Sequence, residues 1–173
     1  ISSIVFIAGL SIGLLIDDLK TDSLESELIE MKQSLSDAET ELLIMDYLED
    51  ELSCDYLLLK SGELNQQAED KGSRLELIED SNPLSTDSYV ELKRDYMRVL
   101  INNWVNLERI KQQCNANYTT VLYFYGPDEE CSDCEEQAYV LNYYKNKLGN
   151  DLLVFALDTT LNMSVINLLK HNY

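Results

Sequence analysis

Among its 173 residues the chain has one histidine, two prolines and six glycines, and only 13 basic residues against 32 acidic ones. Each shortage excludes something. With little proline and glycine and 45% hydrophobic residues, the sequence is neither disordered nor collagen-like. A single histidine, His171, removes histidine-rich metal sites and most histidine-based triads. A net charge of -19 leaves no positive footprint to displace counterions from phosphates, so no nucleic-acid partner is expected. Anionic lipid headgroups are disfavoured on the same ground. Paired carboxylates are abundant because acids are abundant, and a solvated face explains them better than glycosidase chemistry. Four cysteines remain, Cys54, Cys114, Cys131 and Cys134, and they hold most of the chemical information.

The first 16 residues, ISSIVFIAGLSIGLLI, are uncharged and stop at Asp17 and Asp18. This run falls short of the roughly 20 apolar residues that span a bilayer as a helix. It is expected to be the end of a membrane anchor completed upstream, with a signal segment or a soluble segment as alternatives. Gly9 and Gly13 form a G-x-x-x-G pair, which allows close helix approach in lipid. Asp17, Asp18 and Asp22 against Lys20 make a poor cytoplasmic flank. The expected arrangement is therefore a single-pass membrane protein, touching the lipid bilayer through its N-terminal helix, with the bulk of the chain outside the cytoplasm. Disulfides persist there. Asn117-Tyr118-Thr119 and Asn162-Met163-Ser164 match the N-x-S/T pattern, making Asn117 and Asn162 candidate glycosylation sites.

Residues 17–115 read as an extended three-helix region, a helical stalk or layer. Leu24, Leu28, Met31, Leu35, Ala38, Leu42 and Met45 recur at spacings of four and three, the seam of a coiled coil or helix pair. The acids around this seam repel in a homodimer, so a basic partner or a fold-back onto the same chain is as good as self-pairing. The first helix is expected to run through Cys54 to about Lys60 and to exit at Ser61-Gly62. A second continues over Glu63 to about Glu79, and a turn comes at Ser81-Asn82-Pro83. The third begins near Asp87, carries Leu92, Tyr96, Val99, Leu100, Leu107 and Ile110 on a broad face, and ends near Cys114. In up-down-up order the first and third helices are parallel and bring Cys54 near Cys114. A disulfide there would contribute about 3 to 4 kcal/mol on the chain-entropy account. Two buried free thiols are the alternative.

The last third changes character. Thr120 to Tyr125 is a β-rich run ended by Gly126-Pro127, and a helix is expected from about Ser132 to Leu148. Leu152 to Leu157 is apolar on both faces, as a central parallel strand is, and another helix begins at Met163. A β-α-β-α order makes the strands parallel neighbours. Two strands do not make a stable sheet, so further strands are expected after Tyr173 or from another chain. Between the first strand and its helix lies Cys131-Ser132-Asp133-Cys134. A C-x-x-C at that junction reads as a redox pair, the first sulfur exposed at the helix start and the second one turn inside. A locally closed structural disulfide and a zinc site shared between chains are the alternatives.

This arrangement resembles the thioredoxin superfamily over residues 117–173, the first half of that fold. The resemblance implies reversible dithiol-disulfide exchange, with Cys131 as attacking and Cys134 as resolving cysteine. Three things differ. Glu130 stands where an aromatic residue is common, Ser-Asp replaces Gly-Pro, and Val121 to Tyr125 contains no carboxylate. Acidic neighbours disfavour the thiolate, which points away from a strong oxidase.

The expected fold class is α+α/β: a membrane helix over 1–16, the helical region over 17–115, and a partial thioredoxin-like unit over 117–173. The expected function is a membrane-anchored extracytoplasmic thiol-disulfide oxidoreductase acting on protein clients. The alternative is a non-catalytic structural or interaction subunit of a membrane or cell-envelope complex, supported by the seam and eleven tyrosines. Neither reading requires a cofactor or a metal.

Overall fold

A computed structural model describes residues 26, 29–41, 43–45, 47, 48, 52–81, 87–127, 129 and 131–173. Residues 29–41 are helical and form α1. The chain breaks at Leu52 and Ser53, and α2 then runs from Cys54 to Ser81 without interruption. Ser53 caps it, its hydroxyl oxygen accepting a bond from the Tyr56 N–H at 3.4 Å. The exit expected at Ser61-Gly62 does not occur. The Ser61 hydroxyl donates to the Leu58 carbonyl at 2.7 Å, and a single exposed glycine costs a helix only about 1 kcal/mol. Next come α3, Asp87–Cys114; β1, Thr119–Tyr125; α4, Cys134–Leu148; β2, Leu152–Asp158; and α5, Ser164–Asn172. Asn115, left-handed at φ 50°, ends α3, and Gly149 at φ 57° ends α4.

Ion pairs give the directions of the helical layer. Glu30 meets Arg74 at 2.8 Å and Glu41 meets Lys60 at 2.7 Å, so α1 and α2 are antiparallel. Lys32 lies 3.9 Å from Glu91, which places α1 alongside α3. The α1 seam turns inward: Met31 is buried with Leu75, Leu92 and Val99, and Leu35 packs against them. The seam thus folds back onto its own chain. Leu24, Leu28 and Leu42 of that seam lie outside the described residues.

The opposite side of α3 carries Met97, Leu100, Ile101 and Leu107 into a second cluster with Leu153, Phe155 and Leu157 of β2 and Ile166 of α5. One helix therefore supports both the helical layer and the sheet. The core runs across the change from helices to strands at residues 115–118. β1 and β2 are parallel neighbours with Val121 opposite Val154 and Tyr125 opposite Asp158.

The expected fold class needs correction. Among the described residues the fold is mostly helical with one two-stranded sheet, and no helix is long and apolar enough to cross a membrane. The long helices α2 and α3 have the length for it, about 1.5 Å per residue over 28 residues each, but their charged residues forbid it. α2 alone carries Lys60, Glu63, Glu69, Asp70, Lys71, Arg74, Glu76 and Glu79. The apolar run 1–16 lies outside the described residues. No described helix supports a membrane-anchored function, a lipid-bilayer partner or a single-pass location with the bulk outside the cytoplasm, and these expectations are corrected accordingly.

Candidate functional site

The two strands end at the same level, and the turns that leave their carboxyl ends build the site. After β1, Gly126 and Pro127 turn the chain, and the Cys131 N–H donates to the Pro127 carbonyl at 3.0 Å. The Cys134 N–H donates to the Cys131 carbonyl at 3.2 Å, and the Gln137 N–H reaches the Asp133 carbonyl at 2.9 Å, which starts α4. Cys131 and Cys134 form a disulfide with Cα atoms 5.4 Å apart. Cys131 is half-buried and Cys134 is 6% exposed. The helix begins two residues later than the sequence pattern suggests. Cys134 is consequently its first residue, not a turn inside it, and Cys131 precedes the helix altogether. The Tyr123 hydroxyl donates to the Cys134 carbonyl at 2.6 Å and fastens this junction to β1.

After β2, Asp158 closes the turn. Its carboxylate accepts from the Thr160 N–H at 2.8 Å and the Thr160 hydroxyl at 2.6 Å. Lys93 of α3 reaches the other carboxylate oxygen at 2.7 Å. Burial pushes the Asp158 carboxyl up, but Lys93 and Thr160 outweigh it and hold it below the usual value. Burial pulls Lys93 down, and Asp158 outweighs that and raises it. The pair is therefore fully charged. The Lys93 ammonium also sits 5.7 Å from the Tyr125 ring centre, within cation–π range. The Tyr125 phenol is raised, first by burial and then by the Asp158 and Glu79 charges. Burial raises Tyr96 to about 12.

Lys93, Tyr96 and Tyr125 line a cavity of about 510 Å³ between α2, α3 and the carboxyl ends of the strands, reaching Cys134. A groove of about 530 Å³ lies between β1 and α4, over Val121, Leu122, Val140 and Leu141, and shares Tyr123 with the first. Composition offers no signal for Lys93 or for the tyrosine walls. Asp158 is legible in sequence as the residue closing the central strand, and its partner is not.

Cys54 and Cys114 also form a disulfide, Cα atoms 5.4 Å apart, closing a sequence separation of 60. The geometry differs from the parallel-helix expectation. Cys54 opens α2 and Cys114 closes α3, so an antiparallel hairpin brings them together. Asn117 is exposed in the α3–β1 loop, and Asn162 is exposed in a left-handed turn at φ 49°. No metal-ligating group of three or more residues occurs among the described residues.

No family model, curated protein or solved structure matches the chain. What the site itself supports is coarser than a family: a C-x-x-C disulfide at a strand-to-helix junction, which suggests a redox-active motif.

Proposed function

We propose that this protein is a non-catalytic interaction subunit, a cross-linked helical scaffold that presents one aromatic helix face to a protein partner. The observation that carries the reading is α4. Of its 15 residues only Cys134 is buried, while Tyr139 is 76% exposed and Tyr143 56%. Val140, Tyr144 and Leu148 are exposed beside them. So many exposed aromatic and apolar residues on one helix are unusual on an isolated chain and typical of an interface centre. The surrounding charge of -19 selects a partner with a basic rim. α4 is joined to the rest of the fold by the Cys131–Cys134 disulfide at its start and by the Lys145–Glu69 ion pair at 2.9 Å near its end, which leaves its outer face to solvent. In the test, a photo-cross-linking residue at position 143 captures a partner in native cells. Tyr139→Ser with Tyr144→Ser in the cross-linkable chain removes that species without changing the circular dichroism. A cross-link that survives the surface substitutions counts against the reading.

A second reading rests on the unequal burial of Cys131 and Cys134. We infer a thioredoxin-like half-unit over residues 117–173 in which this pair exchanges with partner thiols. A partner thiolate attacks the Cys131 sulfur, the Cys131–Cys134 bond breaks and Cys134 leaves as thiolate. A second partner thiolate then displaces Cys131, so the partner gains a disulfide and the pair takes up two electrons. In the reverse direction, reduced Cys134→Ser protein should hold a mixed disulfide through Cys131, and Cys131→Ser should hold none. Absence of any mixed disulfide in the first variant removes this reading. Asn117 and Asn162 remain proposed glycan acceptors, favoured only by their exposure and their N-x-S/T patterns.

A further inference from the structure

The cavity at the carboxyl ends of the strands has a chemistry of its own. Its volume of about 510 Å³ falls in the range of small-ligand sites. Tyr96, Tyr123 and Tyr125 contribute to its walls, and Glu76, Glu79 and Glu135 add three carboxylates. The lysine in its lining, Lys93, is already held by Asp158 at 2.7 Å and offers an incoming anion little. A neutral apolar guest would leave the carboxylates without counter-charge. A cation satisfies both features, since aromatic faces carry negative potential and the acids complete the pairing. The Tyr125 ring already receives the Lys93 ammonium at 5.7 Å on one side. Tyr123 and Tyr125 stack on one another at 26° with ring centres 6.0 Å apart, too close to admit a group between them, so a guest meets the outer edges of this pair and the Tyr96 ring.

We infer that this cavity binds the guanidinium of an arginine side chain presented by a protein partner. Arginine is favoured over lysine because its planar, weakly hydrated head stacks on aromatic rings and forks onto carboxylates. The inference rests on the interaction reading and names the partner's chemistry at a second point of contact. Because Cys134 lines the cavity, an arginine seated there brings its neighbours to the Cys131–Cys134 disulfide.

The test is a nuclear magnetic resonance titration of the full chain, at physiological salt, with acetyl-Gly-Arg-Gly-amide and its lysine and citrulline counterparts. The arginine peptide should shift the resonances of Tyr123, Tyr125 and Cys134. The lysine peptide should bind more weakly, and the citrulline peptide, equal in shape but uncharged, should not bind. Glu76→Gln with Glu135→Gln, both exposed in the free protein, should weaken the arginine peptide by about tenfold. Equal binding of citrulline or of lysine, shifts confined to the acidic faces of α1 and α2, or indifference to the double substitution each overturns the assignment. The assay needs no partner, so its failure leaves capture through α4 standing, and failure of that capture leaves the titration readable.

Discussion

Gly62 and Gly72 sit ten residues apart in the same helix and face opposite physical situations. A Cβ at Gly62 would meet nothing within 4 Å, whereas one at Gly72 would lie 2.5 Å from the Tyr96 hydroxyl oxygen and 3.3 Å from its ring. That hydroxyl donates to the Ala68 carbonyl at 3.4 Å, so Gly72 is where α3 reaches the α2 backbone. Tyr96 is packed against both core clusters and has little room to retreat. Gly62→Ala should therefore raise stability by about 0.5–1 kcal/mol, the ordinary helix-propensity gain. Gly72→Ala should lower it by about 1–3 kcal/mol, with part of the loss recovered by adding Tyr96→Phe. Urea midpoints of the variants and the parent protein check this. A stabilising Gly72→Ala would show that the contact yields easily. The Ser61-Gly62 pair looks like a helix exit because local propensity weighs each residue alone. Flanking turns of good helix formers, including Leu57 and Leu64 buried in the layer, carry the helix through.

At the scale of elements, the α2–α3 hairpin is closed at one end by Cys54–Cys114 and along its length by buried contacts. Asn103 adds a bond from its side-chain amide to the Leu64 carbonyl at 3.0 Å, fully inside the layer. The cross-link constrains a long loop of the unfolded chain, so Cys54→Ser with Cys114→Ser should cost about 3–4 kcal/mol on the chain-entropy account. Amide exchange should rise most at the start of α2 and the end of α3, because those ends lose their tether, while β2 stays protected. Uniform loss of protection across β2 as well would mean that the hairpin end and the sheet open as one unit. The same physics distinguishes α4, whose single buried residue gives it little of its own to hold it closed.

For the whole molecule, the combination of a large negative charge with buried phenols sets the response to pH. Burial raises Tyr89, Tyr96, Tyr118, Tyr123 and Tyr125 above the ordinary value of 10.0, Tyr96 and Tyr118 to about 12. A folded value above the unfolded one means that their contribution is complete below pH 10 and is lost as pH climbs through the folded values. Lys93, raised above 10.5, behaves in the same sense. Each phenolate also adds to a charge that is already -19. The urea midpoint should stay level through neutral pH and fall steeply above about pH 10. Phenolate absorbance from the buried tyrosines should appear in a cooperative step that coincides with loss of helical dichroism. A single smooth titration with the fold intact would contradict the burial. On the acid side, Asp158 lies below 3.8 when folded, so its contribution holds above that pH and fades as pH falls toward its depressed value.

What the sequence determined by itself is the part governed by nearest neighbours and by sums. The acid surplus sets a strongly negative field from composition alone, because net charge is a sum over residues. The β-rich run before Gly126-Pro127 and the doubly apolar Leu152 to Leu157 are strands, since their patterns and turn residues act over a few positions. The periodic face of α3 likewise comes from residues three and four apart. Tertiary structure decided everything that required distance. The α1 seam could pair with any apolar stripe, and only packing against Leu75, Leu92 and Val99 selects its own chain. Cys54 became a helix start rather than a late helical residue because the chain breaks before it, which turned a parallel approach to Cys114 into an antiparallel one. Lys93 meets Asp158 from a distant part of the chain because β2 docks on α3, and the tyrosine-walled cavity exists only once both strands end beside that helix. Such pairings arise from shape and burial summed over the core, and no local window of sequence contains that sum.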